Sequence, residues 1–192
     1  MLRVALCALL LMLAGCSSPG AFFGAVDGPP FGALPADAQQ ATVYIYRPQN
    51  QWSDEELEAP GLFINNELIG SLPSNGYFAL SFAPGSYPLQ MRRPLLGSFW
   101  TFFAGGSLDF TLIAGFTLEA RAGEVYYLRY DETHTPPKYE HTAGQGAGPL
   151  QLVGKELGSR EIPATRQVQE PVSIAAGGKE VEGPGFFERI GL

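Results

Sequence analysis

Between residues 107 and 121 the chain reads SLDFTLIAGFTLEAR, and every even position is apolar: Leu108, Phe110, Leu112, Ala114, Phe116, Leu118 and Ala120. Most odd positions are polar. Side chains alternate faces along a strand, so seven cycles of period two specify a strand with one buried side. A helix would place its apolar residues three to four apart. At about 3.3 Å per residue this strand exceeds the usual length, and a bend or break is expected near Ala114-Gly115.

Shorter stretches repeat the theme, with β-branched and aromatic runs broken by Gly, Pro and Asn. ATVYIYRP (41–48) opens the series and is closed by Pro48. LFINNELIGSL (62–72) reads as a hairpin, because Asn65 and Asn66 both tolerate the positive φ of a two-residue type I′ turn. In GYFALSF (76–82), Phe78, Leu80 and Phe82 share a face, as do Tyr87, Leu89 and Met91 in SYPLQMR (86–92). VYYLRYDE (125–132) and PLQLVGKEL (149–157) complete about seven to nine strands at sandwich-like spacing. The single helix signal is Ser53-Asp54-Glu55-Glu56, a capping-box pattern ahead of Leu57 and one turn at most. The expected fold is all-β: one antiparallel β-sandwich-like domain over 41–160. A flexible tether (16–40) precedes it, and a tail (161–192), disordered or laid across the domain, follows.

The N-terminal residues carry an expectation about location. Arg3 precedes an uncharged apolar run, Val4 to Leu13, which reads as a secretory leader and is too short to span a bilayer that needs roughly 20 helical residues. Leu13-Ala14-Gly15-Cys16 resembles the bacterial lipobox, so residues 1–15 are expected to be removed and Cys16 acylated. The plainer alternative makes Cys16 a small residue beside an ordinary cleavage site. Ser17 stands where an inner-membrane retention aspartate would be, which favours the outer membrane, facing the periplasm. With Cys7 lost in the leader and Cys16 consumed by lipid, no thiol remains for a disulfide, thiolate catalysis or metal ligation. Residues 17–40 hold four Gly and four Pro without a sustained period. That composition reads as a tether of about 25 to 30 Å mean span. Its Phe22, Phe23 and Phe31 are read as incidental, or else as docking residues for a partner or the membrane surface.

The chain carries a formal charge of −7, one unit more negative once Arg3 leaves, and nucleic acid is excluded because its binding needs a cationic footprint. In DETHTPPKYEH (131–141), His134, His141, Asp131, Glu132 and Glu140 share one loop. Six residues, two of them proline, separate the histidines, so a solvated loop is preferred to a zinc site. The acids of 53–58 lack the alternation and central Gly of a calcium loop and read as a solvated turn. Gly144, Gly146 and Gly148 lack the P-loop Lys-Ser/Thr. No G-x-S-x-G or H-E-x-x-H is present, and no catalytic residue, metal or cofactor is expected. Arg47, Arg92, Arg93 and Arg129 either line a pocket for an acidic ligand or, as is commoner near strand ends, meet solvent or carboxylates.

LLGSFWTFFAGG (95–106) is the stretch that bears on binding. Leu95, Leu96, Phe99, Trp100, Phe102 and Phe103 are too dense for alternation to hide on one face. They form either a partner or ligand surface, or a segment buried on both sides, one of them beneath Phe186-Phe187.

Four pieces of the chain together resemble a bacterial lipoprotein family, domain of unknown function 2846. These are Tyr44-Ile45-Tyr46-Arg47-Pro48, Ile64-Asn65-Asn66-Glu67-Leu68-Ile69-Gly70, Pro84-Gly85-Ser86-Tyr87-Pro88-Leu89 and Ala122-Gly123-Glu124-Val125-Tyr126-Tyr127-Leu128-Arg129. The chain departs from the family pattern at 94–117, where it is longer and richer in Phe and Trp, and in the tail. The resemblance implies a β-sandwich-like envelope domain with no established activity and no catalytic residues to carry over. The expected role is that of a non-enzymatic, lipid-anchored envelope protein, held to the membrane through Cys16 and recognising an envelope protein or polymer. A carrier of a small apolar ligand between the sheets is the first rival, and a hydrolase the second.

Overall fold

The computed structural model describes residues 26, 28–56, 59–94, 110–133, 148–175 and 181–182. The elements in order are β1 (Ala41–Tyr46), α1 (Gln51–Asp54), β2 (Gly61–Ile64), β3 (Glu67–Ser71), β4 (Gly76–Phe82), β5 (Gly85–Pro94), β6 (Phe110–Ala120) and β7 (Val125–Tyr130). After them come β8 (Leu150–Val153), α2 (Lys155–Glu161), a 3-10 turn (Ile162–Ala164), β9 (Arg166–Gln167), β10 (Val172–Ile174) and β11 (Val181–Glu182). Two sheets pack face to face as an all-β sandwich. One runs β11-β10-β4-β1-β7-β8, with β9 also on β4; the other runs β3-β2-β5-β6. Most pairs are antiparallel, but β1–β7, β4–β9 and β4–β10 are parallel.

Every residue of β1 is buried, so it is the central strand and needs cover on both faces. Val43 and Ile45 face the second sheet, in one cluster with Phe78, Leu80, Phe82, Leu89, Met91, Leu118 and Leu128. Tyr44 and Tyr46 face outward with Tyr77, Ala79 and Tyr127, beneath Leu157 of α2, Ile162, Phe31 and Leu34. Tyrosine suits this outer layer because its ring packs while its hydroxyl finds a polar partner. The Leu34 N–H donates to the Tyr44 hydroxyl at 2.7 Å and the Gly32 N–H to the Tyr77 hydroxyl at 3.3 Å.

The segment expected to be a flexible tether is therefore, from Gly28 onward, a strap across the sheet. Phe31 sits edge-on to Tyr44 and Tyr77 with ring centroids 5.2 and 5.3 Å apart, so this aromatic is not incidental. The Gln167 N–H donates to the Pro29 carbonyl at 2.9 Å, and Pro30 bridges Arg166. Composition favours a loose chain here, but aromatic burial on a waiting apolar face outweighs it. Of the two alternatives for the tail, the described part follows the second and lies on the domain. Residues 161–174 complete α2, form the 3-10 turn and lay β9 and β10 along β4, whose edge would otherwise stand unpaired. The domain thus extends beyond residue 160, and the strand expected over 149–157 stops at Val153, where the chain turns helical.

The long alternating stretch is β6, and it hides a phase change. Met91 pairs with Ala114 but the next residue, Arg92, pairs with Leu112, so Ile113 is an extra residue in a bulge. Ala114, Leu118 and Ala120 point into the core, Ile113 packs against it, and Leu112 is 57% exposed. The expected break at Ala114-Gly115 is a bulge one residue earlier in an unbroken strand. The hairpin turn is as expected, with φ of 52° at Asn65 and 70° at Asn66. The capping box is shifted: Asn50 is the N-cap of α1 and Ser53 its third residue, each bonding the other's backbone N–H. Among the described residues no helix is long and apolar enough to cross a membrane.

Helix α2 lies so close to the sheet that a Cβ at Gly158 would come within 2.3 Å of the Tyr127 ring. On an exposed helix Gly→Ala gains about 1 kcal/mol. Here Gly158→Ala is expected to destabilise the fold by about 1 to 3 kcal/mol through overpacking, read as a lower urea midpoint at unchanged m-value.

Candidate functional site

The two ends of the sandwich differ. At one end the β4–β5 and β6–β7 connections are tight turns, Ala83–Pro84 and Arg121–Glu124. At the other, β1, β5 and β7 end and β2, β6 and β8 begin, so the connections 47–60, 95–109 and 131–149 all attach there. The acidic run and the strand ends that flank the aromatic stretch (Pro94, Phe110) and the histidine-bearing connection (Tyr130, Leu150) are far apart in sequence, yet strand direction brings them to this one end. Loops gathered on a rigid sandwich end are the ordinary place for recognition.

An ionic network ties the stems of these connections together. Arg47, immediately after β1, keeps the inward phase of Val43 and Ile45, and its side chain is 1% exposed. Its Nη1 donates to Glu56 Oε2 at 2.6 Å and to the Leu72 carbonyl at 3.3 Å; its Nη2 is 3.5 Å from Glu132 Oε1. Arg93, at the foot of the β5–β6 hairpin, pairs with Glu56 and also donates to Glu132 Oε1 at 2.8 Å. The Tyr130 hydroxyl donates to the same Glu132 oxygen at 2.6 Å, and the Arg47 guanidinium lies over the Tyr130 ring, 5.3 Å from its centroid. Two cations meet two anions, so the charges close on one another. Burial, and then the hydrogen bond to the Glu132 carboxylate, raises the Tyr130 hydroxyl far above its ordinary pKa.

A second network occupies the outer face at the same end. Arg129 Nε donates to Glu161 Oε2 at 2.8 Å, and its Nη2 pairs with Asp131 Oδ2 at 3.0 Å. The fully buried Tyr46 hydroxyl donates to Glu161 Oε2 at 2.7 Å. Its pKa is likewise far above the ordinary value, through burial first and Glu161 second. Asp131 Oδ1 accepts from the Thr133 N–H and hydroxyl at 2.8 and 2.9 Å, and the Asp131 N–H bonds the Pro149 carbonyl at 2.9 Å. These bonds close the root of the histidine-bearing connection.

The four arginines thus do not assemble into one pocket. Arg47 and Arg93 share the inner network and Arg129 the outer one. Arg92 lies over Phe63, 4.3 Å from the ring centroid, and donates to Gln90 Oε1 from Nε at 2.8 Å. The acidic run is not uniformly solvated either: Asp54 and Glu55 are exposed, but Glu56 turns inward to the arginines. Cys16, Leu95, Leu96, Phe99, Trp100, Phe102, Phe103, His134 and His141 lie outside the described residues. Among the described residues no three His, Cys, Asp or Glu side chains are grouped to hold a metal ion. Sequence reading missed Glu161 as an ionic partner and Tyr46 and Tyr130 as hydrogen-bond donors to the carboxylates. The available signal was Tyr46 on the face opposite Val43 and Ile45, which marks β1 as covered on both sides.

The family model described as "Protein of unknown function (DUF2846)" matches residues 37–145, more than half of the chain. No curated protein and no solved structure matches it.

Removing one member of a buried ion network leaves the others uncompensated, so Arg47→Met is expected to cost about 3 to 5 kcal/mol in chemical denaturation. A cost under about 1 kcal/mol would mean that the network is solvated in solution. The tyrosines set an alkaline limit. Each hydroxyl keeps its proton in the native state at pH values where the unfolded chain loses it, near pH 10. Their contribution is therefore complete below about pH 10 and falls as pH rises beyond it. Tyr46→Phe and Tyr130→Phe should each flatten the stability loss between about pH 10 and 11.5, followed by circular dichroism.

Proposed function

The chain belongs to this family of proteins of unknown function, and from that premise we propose that it is a lipid-anchored envelope protein without enzymatic activity, whose β domain recognises a protein or polymer of the cell envelope. The observation that carries the reading is Leu13-Ala14-Gly15-Cys16 directly after an uncharged apolar run. A diacylglyceryl group on the Cys16 thiol and a third chain on the new amine would anchor the protein almost permanently, at about 0.8 kcal/mol per buried CH₂. Ser17, in place of a retention aspartate, favours the outer membrane, facing the periplasm.

The recognition surface in this reading is the loop-bearing end. Pro94 and Phe110 are paired at the close of the β5–β6 hairpin, so the connection with Leu95, Leu96, Phe99, Trp100, Phe102 and Phe103 springs from it. Buried carboxylates already neutralised by guanidinium groups suit a stem that holds loops in place better than a general base. The recognition reading is preferred to a ligand carrier because Ile45, Leu62, Phe78, Leu80, Leu89, Met91 and Leu118 occupy the space between the described strands.

Metabolic labelling with palmitate is expected to mark the wild-type chain, while Cys16→Ala abolishes the label and releases the protein from the membrane fraction. An unlabelled wild type with an intact N-terminus would overturn the anchor. Crosslinking in cells should capture a defined envelope partner, and Trp100→Ala should reduce that capture at least about tenfold, as loss of a central aromatic anchor does.

A further inference from the structure

The strap fixes where the N-terminal chain meets the domain. Gly28 lies against the Gln167 backbone, whose N–H bonds the Pro29 carbonyl, and Pro30 bridges Arg166. Arg166 and Gln167 pair with Gly76 and Tyr77, the first residues of β4, and the Arg166 N–H donates to the Asn75 carbonyl at 2.8 Å. One residue earlier, the Ser74 hydroxyl donates to Asp54 Oδ1 at 2.6 Å and shares a 2.8 Å hydrogen bond with the Ser53 hydroxyl. The chain therefore enters beside α1, at the loop-bearing end, and α1 carries Trp52, a large apolar side chain that is 54% exposed.

Chain length then selects an orientation. From Cys16 to Gly28 the backbone reaches at most about 40 Å when fully extended. The eleven residues of β6 span about 35 Å at 3.3 Å each. With the tight-turn end toward the membrane, the chain would have to traverse the sandwich from its entry point almost fully stretched, giving up most of its conformational freedom. With the loop-bearing end toward the membrane, no such stretch is needed, and Trp52 meets the interface that tryptophan favours.

We propose, resting on acylation at Cys16, that the loop-bearing end faces the leaflet holding the acyl chains, with Trp52 at the headgroup boundary of a zwitterionic phospholipid surface. The zwitterionic choice follows from Asp54 and Glu55, which are exposed beside Trp52 and would be repelled by an anionic surface. Recognition by this end then takes place at the level of the bilayer.

The test uses the full-length acylated protein, purified from membranes and reconstituted into phosphatidylcholine–phosphatidylethanolamine vesicles with brominated acyl chains. Trp100→Phe leaves Trp52 as the reporter. Trp52→Phe/Trp100→Phe/Val125→Trp moves the reporter to the tight-turn end, where Val125 is 47% exposed. The expected result is roughly twofold or greater quenching of Trp52 with a blue-shifted emission, and little at position 125. Phosphatidylglycerol should weaken the Trp52 quenching at low salt and less so at high salt. Vesicles that float with the protein but quench position 125 instead, or neither position, overturn the orientation alone. Failure to float overturns the anchor and the orientation together.

Discussion

A central strand buried on both faces is the constraint from which the rest of this molecule follows. β1 presents Val43 and Ile45 to one side and Tyr44 and Tyr46 to the other, and water must be kept from both. The second sheet covers the first side. The other is covered by α2, the 3-10 turn and the strap, which are short pieces of low regularity recruited from both ends of the chain. Cover for one strand thus explains why the domain extends from Gly28 to beyond residue 160, and why Gly158 is needed where helix and ring nearly touch.

The same strand carries its phase past its own end. Arg47 is where an inward residue after Ile45 has to be, so a guanidinium enters a region next to the core. Its desolvation is offset by Glu56, Glu132 and the Tyr130 ring, with Arg93 completing the balance. The outer phase ends in Tyr46, whose hydroxyl meets Glu161 and through it Arg129. Two networks, one on each face of the sheet, brace the end from which the long connections depart. A rigid stem under variable loops is an arrangement suited to recognition rather than to storing strain.

Much of the inner layer was legible from residues alone. Period-two runs identified β4, β5 and β6, and the inward residues of β4 and β5, because a strand with one buried face writes its geometry directly into the sequence; in β6 Ala114, Leu118 and Ala120 point inward but Leu112 does not. Asn65-Asn66 identified a turn because few residues accept positive φ. The bulge at Ile113 was legible only as an irregularity expected one residue later, from strand length and Gly115; its effect on phase was not, since the even positions on both sides of it are apolar. The strap, β9 and β10 were not legible either. Their pairings run two or three residues, too short for any period, and they form because β4 offers an unpaired edge.

For the candidate site, sequence supplied the ingredients without the assembly. It marked Arg47, Arg93, Arg129, Glu132 and the acidic run but not which charge meets which, because ion pairing depends on distances between segments as remote in sequence as Arg47 and Glu132. What the sequence by itself determined was the all-β class, the strands of period two and the Asn65-Asn66 turn, all of which are local patterns in a one-dimensional string. What only the tertiary structure decided was the second face of β1, the closure of the two ionic networks and the gathering of distant loops at the end where the chain enters. Those depend on burial and Coulombic contact between residues whose proximity is created by folding.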